Sequence, residues 1–178
     1  FNGGTPDYIF LPFGNGGHTA AHGEAIDQAQ TYATSQGLIP PSTPALVAAR
    51  ATRDTEIALA IKIGNPALWE PASTAVENTG GSFVDDISDA DIIEAHKVLW
   101  LDGYQPEFSS AIALAAIPHY HKQHGFTAGD SVVSVLTGNG LKTLPGPGEI
   151  SQSDTIHVYR GKQPSMDRIL DQMQQFAA

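Results

Sequence analysis

Along these 178 residues, continuous apolar runs alternate with stretches that carry helix start and stop signals. Residues 6–13 (PDYIFLPF) form an apolar run that reads as a buried strand and passes at once into the glycine-rich turn Gly14-Asn15-Gly16-Gly17. A helix follows over 20–36 and stops at Gly37, with Pro40 and Pro41 beyond it. Residues 45–50 (ALVAAR) read as a second strand, and 54–63 have helical spacing. Asn65 and Pro66 open a further helix that ends at Gly80-Gly81. Asn can accept from orphan amides there, and Pro at the first helical position loses no hydrogen bond.

Residues 82–87 predict a third strand. Ser88 caps a helix that runs through Leu101, with Asp89 and Asp91 in the first turn, where carboxylates suit the positive end of the helix dipole. Residues 109–123 are apolar nearly all round and predict a buried helix, and 131–136 (SVVSVL) predict another buried strand. Strands apolar on both faces and separated by helices predict an α/β fold, a mostly parallel sheet covered by helices. Beyond Leu144 a Pro-Gly-Pro-Gly stretch reads as a linker, followed by a late strand over 155–160 and a terminal helix over 165–176.

Composition narrows the function classes. At 41% hydrophobic residues the chain can build a real core. No apolar run nears the roughly 18 residues of a membrane span. Nine Lys and Arg against 19 Asp and Glu give a net charge of −10, which repels nucleic acid and anionic membranes. The absence of cysteine excludes disulfides, thiolate metal sites and cysteine nucleophiles, and it fits a reducing, cytoplasmic compartment. The chain opens on Phe1 rather than Met, which raises the expectation of a longer protein.

A strand, a glycine loop and a helix in succession can bind phosphate. Glycines let the backbone turn sharply, successive amides point at the anion, and the helix N-terminus adds partial positive charge. That device needs no lysine, which suits so acidic a chain. Thr19 stands where a dinucleotide fingerprint needs its third glycine, and no Gly-Lys-Ser/Thr follows for a P-loop. A tight strand-to-helix turn without ligand is the plainer alternative. His18 and His22 are four apart, but Thr19 replaces the glutamate of a zinc-protease motif. His119, His121 and His124 lack a carboxylate at a helpful spacing, so no metal site is predicted. Asn65 reads as a helix cap ahead of a substrate contact, Glu107 as site-lining or surface, and Trp69, Trp100 and Tyr104 as packing aromatics.

Four segments, taken in order, resemble the threonine synthase family within the tryptophan-synthase-β-like pyridoxal-phosphate enzymes. LPFGNGGH at 11–18 is similar to the family's glycine-rich phosphate loop, and IKIGNPALW at 61–69 to its I-G-N-P-x-x-W. PEFSSAIALAAI from Pro106 is similar to E-P-A-S-A-A-A-L-A-G, and VLTGNGLK at 135–142 to V-L-T-G-H-G-L-K-D. The chain departs from the family at His18 (usually Asn), Phe108 (usually Pro) and Thr143 (usually Asp).

The resemblance implies pyridoxal phosphate as cofactor, with its phosphate held by Gly14, Asn15, Gly16, Gly17 and His18 and its ring nitrogen faced by Thr137. Read from the residues alone, Thr137 ends a buried parallel strand, where ligands of such sheets sit, and a helix cap or turn hydrogen bond is the plainer alternative. The implied activity is a carbon–oxygen lyase that converts O-phosphohomoserine and water to threonine and phosphate. The family's Schiff-base lysine lies in an S-F-K-D-R segment that has no counterpart around Lys62, Lys97, Lys122, Lys142 or Lys162. No catalytic residue is therefore expected here. Residues 1–144 are expected to be the C-terminal part of a cofactor-binding catalytic domain, and 145–178 a linker and extension. On that expectation the isolated chain is inactive, its partners being a phosphorylated amino-acid substrate and the N-terminal part of the same enzyme. Homo-oligomerisation stays open. Two alternatives remain: a serine/threonine dehydratase-like enzyme of the same fold, which usually has Ser at the position of Thr137, and a non-catalytic domain that binds a phosphate metabolite.

Overall fold

The computed structural model describes residues 4–39 and 41–143. Among the described residues, four parallel strands form one sheet: β1 (Tyr8–Pro12), β2 (Ala45–Ala51), β3 (Ser82–Ile87) and β4 (Val132–Ser134), in the order β3-β2-β1-β4. Ile9 of β1 stands opposite Leu46 of β2 on one side and Val133 of β4 on the other. Four helices among the described residues cover the sheet: α1 (Gly17–Ser35), α2 (Trp69–Asn78), α3 (Asp89–Leu101) and α4 (Phe108–His124).

Side-chain alternation divides the core in two. Phe10, Val47, Ala49 and Val84 pack against Ile92 of α3 and Ile112 of α4. Leu11, Leu46 and Ala48 face the other way, toward Ala72 and Val76 of α2 and Ala20 and Ile26 of α1. Both faces of β1 and β2 are thus buried, which is why these strands read as unbroken apolar runs. Helix α4 is buried continuously from Ser109 to Ile117 because it lies between the sheet and α3. Ser88 caps α3 as expected: its Oγ accepts from Asp91 N at 3.2 Å, and Asp91 Oδ2 accepts from Ser88 N at 3.1 Å.

Three local expectations are corrected by tertiary contacts. Helix α2 starts at Trp69, with Leu68 rather than Asn65 at the N-cap position. The amides that Asn65 would cap are already taken, since Ala67 N donates to Asn15 Oδ1 at 2.7 Å and Leu68 N to Asn15 O at 3.1 Å. Residues 54–63 form only a 3-10 turn at Leu59–Ile61. Their amides go elsewhere: Glu56 N to Asp89 Oδ2 at 2.8 Å and Ala60 N to Ser109 Oγ at 3.2 Å. The last strand is shorter than 131–136 because pairing with β1 covers only Val132–Ser134. Separately from these three, Tyr104 is 55% exposed rather than packed. The late strand and terminal helix fall outside the described residues.

Close backbone approach explains Gly81, where a Cβ would lie 1.9 Å from the Leu46 carbonyl oxygen. Gly81→Ala is expected to cost about 1–3 kcal/mol in chemical denaturation. Gly64→Ala, where a Cβ meets nothing within 4 Å, should stay within about 0.5 kcal/mol of the parent.

His96 on α3 supplies a pH dependence. Its Nε2 donates to the Pro106 carbonyl at 3.1 Å, and its ring lies against Phe108 and Trp100. Burial holds its pKa below the ordinary histidine value, outweighing that hydrogen bond. As pH falls through about 6.5, the unfolded chain takes a proton that the folded His96 resists, so stability declines. His96→Gln should flatten this part of the stability–pH curve; an unchanged slope assigns the proton uptake to other groups.

Candidate functional site

All four strands run the same way, so their carboxyl ends share one edge of the sheet. β1 and β4 are neighbours there, tied beyond the ladder by Val135 N donating to Phe10 O at 3.0 Å. The glycine loop leaves β1 and Thr137 follows β4, so the fold brings both to the edge where ligands of open α/β sheets bind.

The loop is shaped by the segment it passes. Gly16 has φ +86° and occupies the N-cap position of α1 without a side chain to cap it, and a Cβ on it would lie 2.6 Å from the Leu68 carbonyl oxygen. A left-handed backbone and a backbone neighbour both require glycine. A Cβ on Gly14 would come within 3.1 Å of Ile61 Cα. Asn15 then receives the Ala67 and Leu68 amides, joining the loop to the IGNP segment.

At its start, α1 has no side-chain cap and no acidic residue in its first turn. The amides of Gly17, His18 and Thr19 therefore have no partner within the helix. His18 Nδ1 and Thr19 Oγ1 are buried without a hydrogen-bond partner among the described residues. Burial, then the neighbouring His22, lowers the His18 pKa. His22 Nδ1 lies 2.9 Å from the His18 carbonyl oxygen, which can only accept, so Nδ1 carries the hydrogen. A phosphate group fits this set of amides and orphaned polar atoms at the positive end of a helix. Thr19 is the residue that motif matching passed over. A hydroxyl in the first turn after a glycine loop was the available signal.

The third and fourth motifs meet around Thr137. Ser110 Oγ lies 2.8 Å from Thr137 Oγ1 and accepts from Gly138 N at 2.7 Å. Glu107 N donates to Gly138 O at 3.0 Å, and Gly140 N to Gln105 O at 2.7 Å. Glu107 is 8% exposed, which corrects its reading as a surface residue. A Cβ on Gly138 would lie 2.1 Å from Glu107 Oε1, so the turn after β4 closes directly on that side chain.

Beside the glycine loop a cleft of about 570 Å³ is lined by Arg50, Asn65, Ala67, Trp69 and Glu70 among others. Arg50 lies over the Trp69 ring at 5.1 Å and donates through Nη2 to Asp85 Oδ2 at 2.7 Å. Its Asp85 partner raises its already high pKa. Among the described residues, no three His, Asp or Glu side chains gather to hold a metal ion, and no helix is long and apolar enough to cross a membrane.

The sequence profile of pyridoxal-phosphate dependent enzymes matches residues 2–138. A threonine synthase of Bacillus sp. is 33% identical over 147 residues, covering 77% of this chain and 41% of the relative. That of Synechocystis sp. is 31% identical over 179 residues, covering 96% and 45%. A more distant threonine synthase, of Methanocaldococcus jannaschii, is 26% identical over 153 residues, covering 77% and 38%. The chain therefore spans less than half the length of these curated relatives. With the profile covering most of its length, the chain belongs to the pyridoxal-phosphate-dependent enzyme family.

Proposed function

We propose that this chain carries the phosphate cradle and ring-nitrogen partner of a threonine-synthase-like lyase that converts O-phosphohomoserine and water to threonine and phosphate. The observation that carries this reading is the convergence of the uncapped α1 N-terminus and Thr137 on one sheet edge. The likeness to several threonine synthases supports the choice of substrate.

Each residue has a physical task in this reading. The amides of Gly17, His18 and Thr19 hold the cofactor phosphate, helped by His18 Nδ1 and Thr19 Oγ1. Gly14 and Gly16 allow the loop its close course, and Asn15 keeps it against residues 61–68. Thr137 offers a neutral hydroxyl to the ring nitrogen, which leaves that nitrogen unprotonated. When bound, the cofactor supplies an electron sink for the substrate carbon being activated. The cleft between Arg50 and the IGNP segment admits the substrate, whose own phosphate requires further contacts. The family's covalent lysine has no counterpart in these 178 residues, and we assign no catalytic residue among them. Residues 1–144 form part of the cofactor-binding domain on this reading.

The test of function is a substrate comparison in the enzyme that combines this chain with the family's lysine segment. Phosphate release from O-phosphohomoserine should exceed ammonia release from serine by about 10⁴ in kcat/KM, the discrimination expected of a site built for a polar group. Equal or reversed values would favour the dehydratase-like alternative. A second expectation concerns the loop's support. Asn15→Leu keeps the volume but removes the acceptor for Ala67 N, so cofactor affinity should fall about two- to tenfold in a spectroscopic titration. Unchanged affinity would separate the phosphate site from this loop.

A further inference from the structure

Ser110 lies inside α4 at 0% exposure, and its hydroxyl has two polar neighbours. Gly138 N donates to its Oγ at 2.7 Å, and Thr137 Oγ1 lies 2.8 Å away. A hydroxyl carries one hydrogen and two lone pairs, and the Gly138 amide occupies one of those pairs. Between the two hydroxyls there is room for one hydrogen. Whichever residue donates it, the other keeps its hydrogen for a different acceptor.

Exposure decides between the two arrangements. Thr137 is exposed at the carboxyl edge, where solvent or a ligand can accept its hydrogen. Ser110 is sealed, and its Oγ makes no further hydrogen bond among the described residues. If Thr137 donated, the Ser110 hydrogen would be left buried and unpaired, an arrangement proteins avoid. If Ser110 donates, every hydrogen finds a partner and the Thr137 hydrogen points away from the interior.

We propose that Ser110 is a positioning residue: by donating to Thr137 Oγ1, it commits the Thr137 hydroxyl to act as a hydrogen-bond donor at the cofactor ring. This rests on the placement of Thr137 at the ring nitrogen. A committed donor matches an unprotonated pyridine nitrogen, which offers a lone pair. It mismatches a protonated one, which carries a hydrogen of its own. Ser110 thereby acts on the charge state of the ring without touching it. The Gly138 turn holds the pair in place, since its amide is bound by Ser110 and its carbonyl by Glu107 N.

The test is a double-mutant cycle in the intact, cofactor-loaded protein, read by affinity for pyridoxal phosphate and by the nitrogen resonance of a ring labelled with ¹⁵N. Ser110→Ala and Thr137→Ala should each weaken binding about two- to tenfold. The double variant should bind no worse than Thr137→Ala alone, because Ser110 acts through Thr137. Both single variants should move the ring resonance in the same direction. Ser110→Cys, similar in size and a weaker donor, should move it less, and it stands in if Ser110→Ala does not fold. Additive losses of affinity would overturn the proposal, and so would a Ser110→Ala resonance unchanged where that of Thr137→Ala moves. If Thr137→Ala itself changes neither readout, the placement of Thr137 at the ring fails, and the proposal with it.

Discussion

Where Gly16 passes beneath the Leu68 carbonyl, two segments far apart in sequence share a backbone contact with no room for a side chain. Asn15 completes the join by accepting two amides from the same stretch, across 52 residues to Ala67. The consequences run in both directions. The loop is fixed at the mouth of β1 with the first turn of α1 uncapped, and the start of α2 is displaced to Trp69 because the preceding amides are already engaged. One contact thus sets both the candidate phosphate cradle and the wall of the neighbouring cleft.

A second join repeats the logic on the other side of β1. The turn after β4 is bound through Gly138 and Gly140 to residues 105–110, and Ser110 reaches Thr137 from inside α4. Helix α4 is the most deeply buried of the described helices and packs on both the sheet and α3, so what it positions is held rigidly. Each of the four motifs is therefore one half of a pair. The glycine loop is braced by the IGNP segment, and the turn carrying Thr137 is braced by the segment starting at Pro106.

Charge shapes the site as much as packing does. A chain at −10 has few cations to spend on anions, and Arg50, which lines the cleft, is bound to Asp85 and stacked on aromatic rings. Backbone amides at a helix terminus supply positive potential without adding a titratable group. Burial, and then the neighbouring His22, lower the His18 pKa, which disfavours its charged form.

The sheet, its helices and the Ser88 cap were legible from the residues, because apolar runs, glycine punctuation and capping are local properties of the chain. The glycine loop and Thr137 were legible as motifs. Partner choice was not. Asn65 looks like a cap in isolation, and only the folded chain shows Asn15 taking the amides it would have bound. Residues 54–63 have helical spacing, but their amides bind Asp89 and Ser109, which local sequence cannot reveal. Glu107 reads equally well as surface or site until the Gly138 turn closes over it. Sequence alone determined the layers of this protein and the residue types at its candidate ligand edge, because periodicity and turn chemistry act over a few residues. Tertiary structure decided which hydrogen-bonding groups are left open at that edge, because a donor is open only when no distant part of the chain has reached it first.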